Sequence, residues 1–96
     1  MLNNIGTFDI DVDSYTEIAT AIGETLTDAT TYQIQIVSST SGKLNYCQKN
    51  STPEETEGNI LYANTIYEFT QDSTYAFYIK NLTEGLKINI AEVVTA

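Results

Sequence analysis

Asp9, Asp11 and Asp13 alternate near the start of the chain, and carboxylates at that spacing are how an EF-hand calcium loop opens. The rest of such a loop is missing. Its sixth position needs glycine for a sharp turn and holds Ser14; its twelfth needs a bidentate glutamate and holds Thr20. On an extended strand, side chains two residues apart sit roughly 7 Å from one another, too far to share one ion without a bend. The three aspartates are thus weak metal candidates, and a solvated strand face is the reading preferred. Glu54, Glu55 and Glu57 form a second acidic cluster, in a stretch expected to be a hydrated loop that keeps a sheet edge from pairing.

Other chemistry is thinly provided. Cys47 is the one cysteine and histidine is absent, so an internal disulfide, a zinc site of the usual N/S type and a histidine-based triad are all excluded. Without a base beside it, Cys47 is expected to be a small packed residue rather than a nucleophile. A paired-carboxylate hydrolase would need a deep pocket with two shielded acids, for which a chain of this length has little room. No enzyme activity, cofactor or catalytic residue is therefore expected. The aromatic side chains are mostly tyrosine. Tyr67 and Tyr78 fall opposite the faces assigned to the core through Ile66 and Phe77, which makes them candidates for contact with a protein partner.

The elements that must position these residues are read from periodicity. Residues 7–12 alternate, with Phe8, Ile10 and Val12 facing in and the aspartates facing out. Ser14 and Glu17 have capping-box spacing. The β-branched Thr16, Ile18 and Thr20 favour instead a short strand over residues 16–19. Gly23 ends it, and Leu26 is expected to plug the core from a loop. Residues 31–37 and 44–48 read as strands separated by a Ser/Gly turn. Residues 49–58 hold the only proline, carry acid and lack an apolar anchor, so an exposed loop is expected. Strands follow at residues 59–63 and 66–70, with a corner at Asn64. The strongest signal is the stretch 73–93, two alternating runs joined by residues 81–85. A short connection containing Asn81 and Gly85 reads as an antiparallel hairpin.

About eight short strands at 8–12-residue spacing, with no long helical period, predict an all-β fold, an antiparallel β-sandwich or small barrel. The chain of 96 residues is one domain over residues 7–96, with residues 1–6 as an N-terminal arm. A chain of this size buries roughly 60–65% of its unfolded surface, enough for one modest core. The net charge is -9, arginine is absent, and residues 1–42 carry acid without base. Such a chain is repelled by nucleic acid and anionic membranes and lacks the bidentate grip on phosphate, so neither is an expected partner. Neither a signal peptide nor a spanning helix is expected from the N-terminal residues.

The order of signals from Tyr32 to Glu92 resembles a known group. A strand runs into a Ser/Gly turn (residues 34–42), then comes Leu44-Asn-Tyr46, then a Ser-Thr-Pro loop with acids and a glycine (residues 51–58). Ile60-Leu61, Tyr67-Glu-Phe69, the aromatic run 75–80 and the run 86–90 complete it. This resembles the small β-sandwich modules of tailed-phage virions that decorate capsids, form head fibres or cap tail parts. The resemblance implies a structural role as an auxiliary or decoration subunit, located in the virion after synthesis in the host cytoplasm. It implies the major capsid protein or other virion proteins as partners, and no catalytic residues. Trimers are common among such modules, so a homotrimer is one expectation. The alternative is a phage fibre or adhesin-type module that recognises a cell-surface glycan through its tyrosines and the loop 49–58. A weaker third is a regulatory protein that mimics acidic nucleic acid and binds a basic partner.

Overall fold

The computed structural model describes residues 2–38 and 40–94. Met1 of the expected arm, Ser39 of the expected turn and the tail at Thr95 and Ala96 lie outside the described residues. The elements in order are β1 Leu2–Ile10, β2 Thr16–Glu17, α1 Ile18–Ile22, β3 Thr31–Ile36 and β4 Lys43–Lys49. There follow β5 Asn59–Tyr62, β6 Ile66–Thr70, β7 Ala76–Asn81 and β8 Leu86–Val93.

The eight strands among the described residues form two four-stranded sheets, the first in the order β1-β8-β3-β6 and the second in the order β2-β7-β4-β5. Every pairing is antiparallel. The pairs β1–β8, β2–β7, β3–β6 and β4–β5 are nested, as if one long two-stranded ribbon had its tip at the β4–β5 loop. Folding that ribbon over brings β3 against β8 and β4 against β7, which completes the sheets. Two four-stranded sheets with this nesting form the jelly roll, a β-sandwich. The expected all-β sandwich of eight short strands is thus observed.

The core lies between the sheets. Tyr32, Ile34, Ile36, Phe69, Leu86, Ile88 and Ile90 from the first sheet meet Leu44, Leu61, Phe77 and Ile79 from the second. Phe69 and Phe77 stack across the gap with ring centroids 4.1 Å apart. Leu26 plugs the core from its loop, as its isolation in a polar stretch predicts. Burying each such side chain contributes about 1.5–3 kcal/mol.

Four expectations are corrected. The run 73–93 is not a hairpin: β7 sits in the second sheet and β8 in the first, and residues 82–85 cross between them. Both strands are central, so each takes its hydrogen-bonding partners from distant parts of the chain. Residues 2–6 are not a separate arm, because β1 begins at Leu2, which pairs opposite Val93; a register shift between Asn4 and Gly6 interrupts the ladder. The stretch expected as a strand over residues 16–19 divides into the two-residue β2 and the helix α1. Glu17 is spent on pairing with Tyr78, so the capping box is unused, and Gly23 ends the helix in the left-handed region at φ 71°. Asn81, expected to take positive φ in a turn, is the last residue of β7. Its side chain accepts from the Val12 N–H at 2.9 Å and donates to the carbonyls of Ile10 at 3.2 Å and Thr83 at 2.9 Å. That ties the exit of β1 to the second sheet.

Candidate docking surface on the second sheet

The outer face of the first sheet is a lattice of paired polar side chains. Thr7 donates to Asn89 at 3.1 Å, Gln33 to Glu68 at 3.1 Å, and the hydroxyls of Thr31 and Thr70 lie 3.1 Å apart. Asp9 lies here on β1, its Oδ1 2.7 Å from the Lys87 ammonium. Both side chains are exposed, and such a pair is worth about 0–1 kcal/mol. Asp11 and Asp13 follow beyond the strand end and are exposed. Among the described residues, no three side chains of the metal-ligating types gather, and the three aspartates do not converge.

The outer face of the second sheet is built differently. Tyr15, Ala76 and Tyr78 form a second apolar cluster there, with Cys47 packed against it. Of residues 49–58, expected as an exposed loop, Lys49 is the last residue of β4, and the rest, though mostly exposed, is tied back to this face. The Lys80 ammonium reaches the Glu55 carboxylate at 2.7 Å and the Glu55 carbonyl at 3.0 Å, and lies 5.2 Å from the centre of the Tyr15 ring. The Lys49 ammonium holds both oxygens of Glu57, at 2.7 and 2.8 Å. The Tyr15 hydroxyl donates to the Glu57 carbonyl. Pro53 is buried, which gives the loop the apolar anchor that its composition did not suggest.

The charges of this latch follow from its contacts. The hydrogen bond with Lys49 and a second from the Glu54 N–H hold the Glu57 carboxyl below its usual range, and the same pairing raises Lys49. Burial pushes the Cys47 thiol up, and the Glu57 charge adds to it more than Lys49 offsets. The thiol is therefore protonated at neutral pH and a poor nucleophile. Burial also raises Tyr15, as do the charges of Cys47, Glu55 and Glu57. The groups gathered here hold the loop down.

The two tyrosines picked from the sequence are not exposed contacts. Tyr78 does face away from the main core, but it packs with Tyr15, Ala76 and Cys47 and is only 9% exposed. Tyr67 faces inward, its ring 4.3 Å from that of Tyr46 and 5.9 Å from that of Phe77, and burial raises its pKa. The alternation of β6 runs opposite to the expectation: Ile66 is outside at 54% exposure and Tyr67 and Phe69 are inside. The signal was present in Tyr67-Glu-Phe69, an aromatic pair at period two.

The surface that the sequence did not single out lies on β5 and its neighbours. Ile60 and Tyr62 point outward at 43% and 52% exposure, with Leu61 between them in the core. Lys43, opposite Tyr62 on β4, places its ammonium 5.9 Å from the centre of that ring. Leu82, also exposed, is held beside Lys43 by its N–H on the Lys43 carbonyl at 3.2 Å. Ile60 and Tyr62 lie on the edge strand beside one cation, and Leu82 lies next to Lys43 where the chain leaves β7. Exposed apolar patches rimmed by polar groups mark docking surfaces. Compared with known proteins, the chain matches no family model, no curated protein and no solved structure.

Proposed function

We propose that this chain is a structural subunit of a virion, an auxiliary or decoration protein on a tailed-phage capsid. The observation that carries this reading is the jelly-roll strand order, an architecture used by viral capsid domains. The strand-and-turn pattern that resembles virion modules supports it. So do the exposed apolar side chains of Ile60, Tyr62 and Leu82, since a subunit that covers a shell needs a dry surface for its neighbours. Quantitative mass spectrometry of purified particles, ratioed to the major coat protein, tests it. Equimolar incorporation is the expected result. A strongly substoichiometric signal would move the protein to a fibre or vertex, and absence from particles would refute the reading.

The jelly roll is also a lectin architecture. The exposed Tyr62 ring beside Lys43, with Asn45 opposite Ile60 on the same pair of strands, offers an apolar platform with hydrogen-bonding neighbours, which favours a glycan-binding module as the second reading. A glycan array silent both with and without calcium would remove it.

A further inference from the structure

Each sheet ends in two strands with one edge along which no other strand of the described residues lies: β1 and β6 in the first, β2 and β5 in the second; on β5 the Tyr62 carbonyl accepts the Thr65 N–H at 3.3 Å. Such an edge offers its N–H and C=O groups to any incoming strand unless something guards it. Three of the four are guarded. β1 carries a register shift at Asn4–Gly6 and the charge of Asp9. β2 is two residues long and passes straight into α1. β6 has Glu68 at its middle. β5, with the sequence Asn59-Ile-Leu-Tyr62, holds no charge, proline, glycine or bulge, and two of its four side chains are exposed and apolar.

We propose that β5 pairs antiparallel with β5 of a second copy of this chain, joining two second sheets into one eight-stranded sheet across a twofold axis at Leu61. The register follows from the pleat. Residues directly opposite one another share a face, so outward side chains must meet outward ones. Centring on Leu61 sets Ile60 against Tyr62 of the second copy, twice. Aromatic and β-branched side chains facing each other across strands are a favourable pair.

Charge leaves this edge open to the same occupant. Two copies at -9 repel over most of their surfaces. β4 and β5 together hold two lysines and no acid. The nearby Glu55 and Glu57 are already bound to Lys80 and Lys49. Lys43 alone among the lysines has no carboxylate partner among the described residues. This edge is where two copies meet without carboxylate facing carboxylate, and the two Lys43 side chains fall at opposite corners of the contact. Four-residue strands bury less than the ~1,200 Å² of a stable complex, so the dimer exchanges with monomer.

Sedimentation of the full chain from about 1 μM to about 1 mM brackets such weak association. The expected result is a reversible monomer–dimer equilibrium that strengthens as salt rises, because screening removes the repulsion between copies and leaves the apolar pairs. Ile60→Lys and Tyr62→Lys, both on the solvent face, should weaken it by about tenfold or more. Ile66→Lys, on the guarded β6 edge, should leave it unchanged. If a lysine variant loses its cooperative melt, Ile60→Thr keeps the β-branch and should still weaken association. A monomer throughout, association that weakens with salt, or equal loss in Ile66→Lys would overturn the proposal. The particle measurement is independent: the chain can be a monomer in solution and still be found on particles.

Discussion

Gly58 is a point of close approach between the ribbon tip and the sheet beneath it. Its φ is 101°, which L side chains rarely adopt, and a Cβ there would meet the Tyr46 carbonyl oxygen at 2.5 Å and collide with the Tyr15 hydroxyl. The first is backbone held in the β4–β5 ladder, opposite Asn59, and has no room to withdraw. Gly58→Ala should therefore cost about 2–4 kcal/mol in urea denaturation, combining backbone strain with overpacking. It should also speed labelling of Cys47, which lies under the same loop. A loss below about 0.5 kcal/mol would mean that the loop is not held by this close approach.

At the scale of elements, β6 separates apolar character from burial. Ile66 is the more hydrophobic residue and is outside; Tyr67 carries a hydroxyl and is inside, against Tyr46 and Phe77. Ile66→Lys should change stability by no more than about 0.5 kcal/mol, as surface substitutions do. Tyr67→Ala opens a hole beside two rings and should cost about 3 kcal/mol. Chemical denaturation of the two variants side by side checks this, and the reverse order would put β6 in the opposite register. The helix α1 shows the same tension. A capping-box spacing exists at Ser14 and Glu17, but pairing of Glu17 with β7 takes precedence over it.

For the whole molecule, the directions of the pKa shifts indicate the pH range over which the fold is most stable. Glu57 is depressed from an ordinary value of 4.5, so its contribution is present above that value and lost as pH falls through the depressed one. Cys47, Tyr15, Tyr67 and Lys49 are all raised, from 9.0, 10.0, 10.0 and 10.5. Their contributions are complete below those values and lost as pH rises through the raised ones. Melting temperature should be flat from about pH 5 to about pH 9 and fall on both sides. Glu57→Gln should lower the plateau and make the acid limb shallower; an acid limb identical to that of the unmodified chain would show that Glu57 does not couple the latch to folding.

The strands were legible because their signal is local. Period two at Phe8, Ile10 and Val12, at Tyr32, Ile34 and Ile36, and at Leu86, Ile88 and Ile90 states which side chains face in; the last two runs are strands in the structure, and the first is strand as far as Ile10, with Val12 packed against the core just beyond its end. The corner at Asn64, with φ 73°, was legible for the same reason. The partner of each strand was not, since alternation carries no information about which strand lies alongside. β7 and β8 are neighbours in sequence and belong to different sheets, while β1 pairs with β8 across almost the whole chain. The candidate surface shared that limit. Tyr78 is covered because Tyr15, from a distant part of the chain, packs against it, and Ile60 and Tyr62 are exposed because they point outward from the last strand of their sheet. Composition and periodicity determined a single acidic all-β chain and most of its strands. Nested long-range pairing, decided by burying both sheets' inner faces at once, determined the jelly roll and which edge is left open.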